Sequence, residues 1–145
     1  MGFQITALTN QVIAPNATRL IADKKPGYPC RVSLEDAEIG EPVLLFHYEH
    51  QPANTPFRAS HAIYVRENAK VAQLRPNEIP AMLLKRILSL RAFDRNDMLR
   101  DADLAEGDQL AVRIEAMLAN PEIAYLHLHF AKPGCYAARA DRCVE

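Results

Sequence analysis

Between residues 123 and 130 the side chains alternate, so that Tyr125, His127 and His129 share one side while Ala124, Leu126, Leu128 and Phe130 share the other. A period of two belongs to an extended strand, and it decides which side chains can act together. The turn signal Lys132-Pro133-Gly134 follows at once, and residues 135–142 then read as a closing strand. The last quarter of the chain therefore predicts two adjacent strands, the first carrying its imidazoles on one face.

The same logic extends upstream. Residues 3–8 and 19–22 are predicted strands, separated by a loop around Pro15 and Asn16. Lys25-Pro26-Gly27-Tyr28-Pro29 reads as a second tight turn, in which Pro presets φ and Gly supplies a positive φ, before the chain enters residues 30–34. Residues 41–49 form a strand with His47 and Glu49 on one face, and residues 60–66 another with His61 on the side of Ile63 and Val65. Residues 76–87 predict a helix through Ile79, Met82, Leu83 and Ile87, with Pro80 in its first turn. Residues 88–94 and 98–104 form a hairpin turning at Arg95-Asn96-Asp97. A second helix, about residues 108–118, sets Leu110, Ile114, Met117 and Leu118 on one stripe and stops at Asn120-Pro121. Strands outnumber helices and the helices do not alternate with every strand. The expected class is α+β, a mainly antiparallel sheet with two helices packed on one face.

At 145 residues a chain can bury roughly 68–70% of its unfolded surface, enough for one core without staples. No linker or low-complexity run divides it, so residues 1–145 are expected to be a single domain. A formal net charge of −1 argues against a nucleic-acid partner, which demands clustered cations to displace counterions. The longest apolar runs, such as residues 43–46, are too short to span a bilayer, so no membrane association is expected. Cys30, Cys135 and Cys143 are too few for a disulfide framework and form no CxxC pair, which fits reduced thiols in a cytoplasm. A homodimer is compatible with all of this.

Three groups of residues carry chemistry. His127-Leu128-His129 is the spacing by which a strand offers two imidazoles to one metal, with His61, His50 or His47 as a third ligand. Histidine is equally at home on a half-buried sheet face, so no metal is assigned and His127, His129 and His61 stand as an alternative. Arg31, Arg58, Arg91 and Arg139 each stand beside a strand or turn, where a guanidinium can grip a small anion, unless Glu35, Glu49 or Asp94 already pairs with it. Cys135 follows a tight turn and becomes a nucleophile if His127 or His129 activates it, against the plainer reading of a small core residue. The acidic run from Asp94 to Asp103 lacks the spacing of a calcium loop, with Met98 and Leu99 at positions that need Gly or oxygen ligands. No GxSxG, Walker, GxGxxG or HExxH motif is present, and no cofactor is assigned.

The blocks Lys25-Pro26-Gly27-Tyr28-Pro29-Cys30-Arg31-Val32-Ser33-Leu34-Glu35-Asp36-Ala37, Tyr48-Glu49-His50-Gln51-Pro52, Arg58-Ala59-Ser60-His61-Ala62-Ile63, Leu88-Ser89-Leu90-Arg91-Ala92-Phe93-Asp94 and Ala131-Lys132-Pro133-Gly134-Cys135-Tyr136-Ala137-Ala138-Arg139 together resemble a bacterial family catalogued as domain of unknown function 1203. The resemblance covers nearly the whole chain after about Ile21. It implies a bacterial single-domain protein and brings no assigned activity. The family pattern has Asn where this chain carries Phe130, and its opening segment is longer. The expectation that follows is a pocket for a small anionic ligand, lined by His50, Arg58, Arg91, Arg139 and Tyr136, with His61, His127, His129 and Cys135 as candidate catalytic groups. The competing readings are a non-catalytic scaffold or interaction domain and a His-ligated metal protein.

Overall fold

The computed structural model describes residues 2–143. Among them, eight strands form two antiparallel sheets. In the larger sheet β1 (Phe3–Thr6), β8 (Tyr136–Arg142), β7 (Tyr125–Phe130), β5 (Ile87–Phe93) and β6 (Leu99–Glu106) lie side by side in that order. In the smaller, β3 (Pro42–Gln51) is flanked by β2 (Thr18–Ile21) and β4 (Ala59–Arg66). With helices α1 (Ala81–Leu84) and α2 (Leu110–Leu118), the fold is α+β as the sequence predicts. No described helix is long and apolar enough to cross a membrane.

The stripe Leu110, Ile114, Met117 and Leu118 makes α2 amphipathic, and all four side chains are buried in one cluster with Leu88, Leu90, Leu126 and Leu128. Each such aliphatic side chain contributes about 1.5–3 kcal/mol on leaving water, which is what holds a nine-residue helix on the sheet. Pro121 cannot extend the helix. Arg142 of β8 donates from Nε to the carbonyl of Leu118 at 2.9 Å and from Nη2 to that of Asn120 at 2.8 Å, so a strand guanidinium satisfies helix-end carbonyls. The β5–β6 hairpin is tied by Asp94, whose Oδ1 accepts the amides of Asn96 and Met98 while Oδ2 accepts Arg100 Nε at 2.7 Å. The acidic run is thus used in building the turn.

Three expectations need correction. The helix expected over residues 76–87 shrinks to the single turn Ala81–Leu84, because Asn77 is left-handed (φ 65°), Pro80 is extended at the N-cap, and Ile87 already pairs with Glu106 as strand. The single sheet becomes two. The turn at Lys25-Pro26-Gly27 has a cis Lys25–Pro26 bond and no positive φ at Gly27, whereas Gly134 in the second turn does take φ 84°.

The one-turn α1 rests directly on Gly107. A Cβ there would lie 2.3 Å from the carbonyl oxygen of Leu84, backbone against backbone. Gly107→Ala should therefore cost about 1–3 kcal/mol of stability, read as a lower urea midpoint with unchanged slope.

Candidate functional site

The alternation in β7 and the register of its neighbours build an array on the sheet face opposite α2. Across β5, β7 and β8, Arg91 pairs with His127 and His127 with Arg139; one row along, Ser89 pairs with His129 and His129 with Tyr136. Cβ atoms opposite each other on antiparallel strands stand about 5 Å apart, so His127 lies between two arginines of the neighbouring strands. Arg139 is held over the Tyr125 ring at 4.1 Å and bonds Asp141. The end of β3 lies across this face and adds His50, whose ring stacks on Tyr136 with centroids 5.6 Å apart. The imidazole centroids of His50, His127 and His129 form a triangle of 4.8, 6.2 and 6.4 Å.

All three imidazoles are buried, at 8, 5 and 1% exposure for His50, His127 and His129. Burial penalises the charged ring and nearby cations penalise it further. His50 is held down to about 4, with desolvation first and then the charge of Arg91. His127 falls to about 3 through desolvation, then His50, Arg139 and Arg91. His129 also falls to about 3, chiefly by desolvation. At neutral pH the cluster is uncharged. His129 Nδ1 lies 3.0 Å from the carbonyl of Gly134, and since a carbonyl only accepts, that nitrogen carries the proton and Nε2 presents a lone pair. His129 Nε2, His50 Nδ1 and His127 Nδ1 are buried without a hydrogen-bond partner. Arg91 makes only a 3.4 Å contact to Ser89 Oγ, and among the described residues no carboxylate pairs with it.

The candidates named from the sequence do not all gather here. His50, His127, His129, Tyr136, Arg91 and Arg139 converge. His61 does lie on the side of Ile63 and Val65, but at the outer end of edge strand β4, where it is exposed. Arg58 is exposed and bonds Glu49 at 2.7 Å, the internal pairing that competed with ligand binding. Cys135 lies in the α2-side core cluster with Leu128 and Phe130, and its sulfur accepts Arg31 Nη2 at 2.8 Å, so its partner is a guanidinium in place of an imidazole. Among the described residues no three His, Cys, Asp or Glu side chains are placed to hold a metal ion, and the set His127, His129 and His61 is not brought together.

Sequence reasoning passed over Tyr125, whose hydroxyl donates to Asp97 at 2.6 Å and accepts from Gln51 Nε2 at 3.0 Å, joining the hairpin loop, β7 and the end of β3. Its place on the imidazole face of β7 was the available signal. Gln51 carried none, because its role depends on one sheet crossing the other.

Comparison with curated proteins and with solved structures returns no match. The chain belongs to the family described as Protein of unknown function (DUF1203), whose model matches residues 27–142, a span that holds all three imidazoles and both guanidiniums of the array.

Proposed function

We propose that the array binds a small anionic molecule that also carries a hydroxyl or similar donor. The observation that carries this reading is the coincidence, in one place, of three buried imidazole nitrogens without partners and a guanidinium without a carboxylate. Buried polar nitrogens are ordinarily satisfied, so three together mark a place built for something that supplies the missing bonds. Arg91 offers a two-pronged grip on a carboxylate or phosphate, and the lone pair of His129 Nε2 accepts a hydrogen bond from a hydroxyl. A purely structural role for the histidines would leave these nitrogens bonded within the protein.

Inorganic phosphate and glycolate are suitable probes. Either should shift the side-chain nitrogen resonances of His127 and His129 saturably at millimolar concentration. Arg91→Met should weaken that binding about tenfold or more, the worth of one charge-assisted pair. Burial first, and the guanidiniums after it, hold the rings neutral at values of about 3, so they stay uncharged from pH 7.5 to pH 6 and glycolate affinity should be nearly constant across that window. Absence of any saturable shift with both probes would remove the proposal.

A further inference from the structure

On the α2 side of β7 and β8, away from the imidazoles, the two Lys-Pro-Gly turns face each other across a cleft of about 1010 Å³. Pockets that engulf small organic ligands run to about this volume. Its lining carries five cations, Lys24, Arg31, Lys85, Arg86 and Lys132, against two acids, Glu106 and Asp108. The charge of Arg86 is already matched, since Asp36 accepts two bonds from it at 2.6 and 3.0 Å. Arg31 is different. It has no exposed surface, and its three recorded bonds go to the carbonyls of Tyr136 and Pro29 and to the sulfur of Cys135. None of these partners is a carboxylate, so a buried positive charge lines the cleft without an opposing one. The Phe130 ring is buried behind the cleft, with the Arg31 and Arg86 guanidiniums each 5.0 Å from its centroid, and the exposed Leu84 and Ile87 with Pro26 give the cleft an apolar wall.

We propose that this cleft is a second binding site, separate from the imidazole array, for an organic anion with a flat apolar body. Its carboxylate or sulfonate meets Lys85 and Lys132 at the rim and answers the excess of positive charge in front of the buried Arg31, while its body lies against Leu84, Ile87 and the prolines. Cys135, which lines the same cleft and is 8% exposed, reports on occupancy.

The test uses the full chain, with naphthoate as the anionic probe and naphthylmethanol as its neutral counterpart. Naphthoate should bind saturably, shift the amides of Ala131, Lys132 and Gly107, and slow alkylation of Cys135 by N-ethylmaleimide. Naphthylmethanol should bind about tenfold more weakly. Lys85 and Lys132 are exposed on the rim, so Lys85→Glu with Lys132→Glu preserves the fold and should abolish the preference for the anion. Equal binding of the two probes, or an anion preference that survives the double variant, overturns the proposal. So do shifts confined to Ser89, Arg91 and His127, which would place the anion at the imidazole array instead. Failure of phosphate to shift the histidines leaves this cleft untouched, so the two sites are tested independently.

Discussion

Acidification from pH 7.5 to pH 5 should cost this protein a large part of its stability, chiefly through three histidines. An unfolded imidazole titrates near 6.5, whereas His50, His127 and His129 titrate at about 4, 3 and 3 in the fold. A folded value below the unfolded one means that the contribution is complete above pH 6.5 and drains away as the pH falls toward the folded value. Within that window each ring removes about 1.4 kcal/mol per pH unit, and three together about 4. Domains have only about 5–15 kcal/mol in total, so the roughly 1.5 units between pH 6.5 and pH 5, about 6 kcal/mol, are enough to threaten the fold. Asp94, held below the usual carboxylate range by Arg100 and by the hairpin amides, contributes only at lower pH. Urea unfolding at pH 7.5, 6 and 5 should show the midpoint falling steeply, and His127→Asn with His129→Asn should reduce the slope to about one third. A midpoint independent of pH across this window would mean that the rings are not held neutral by the fold.

Arg31→Ala should be the most damaging single substitution outside the aliphatic core, lowering stability by about 3–5 kcal/mol and Tm by roughly 10–20 °C. The guanidinium has no solvent exposure, joins residues 29, 135 and 136, and stacks over Phe130. Its loss leaves a cavity and removes the hydrogen bonds it donates to the carbonyls of Pro29 and Tyr136. Arg31→Met fills the volume and isolates the polar part, so it should fall between wild type and Arg31→Ala. Thermal unfolding of the two variants reads the difference, and a small effect of Arg31→Ala would mean that water replaces the guanidinium at no cost.

How far these features could be read beforehand depends on the range of the interactions that set them. The face of β7, the β5–β6 hairpin and the stripe of α2 are local patterns, and all three were legible in the sequence. The false helix at residues 76–87 came from apolar spacing that was real but was overruled by a left-handed Asn77 and by pairing of Ile87 with Glu106. His50 stood just past the predicted strand 41–49 and His61 within the predicted strand 60–66, and both were candidates for the pocket. What separates them is that the far end of β3 is covered by the larger sheet while the matching part of β4 is open, a fact of tertiary packing. Arg31 was visible as a guanidinium beside a turn, but its partners were not, because two of the three lie more than a hundred residues away along the chain.

The strand order also sets a timetable for synthesis. β8 sits between β1 and β7, and the first of its pairings joins Phe3 to Arg142. On the ribosome β1 emerges early and has to wait, unpaired, until the last strand of the sheet follows it out. During that interval both β1 and β7 offer bare edges to other chains, the condition under which nascent sheets need chaperones. Final closure of the larger sheet therefore falls after translation of β8, with the slow folding expected of pairings so distant along the chain.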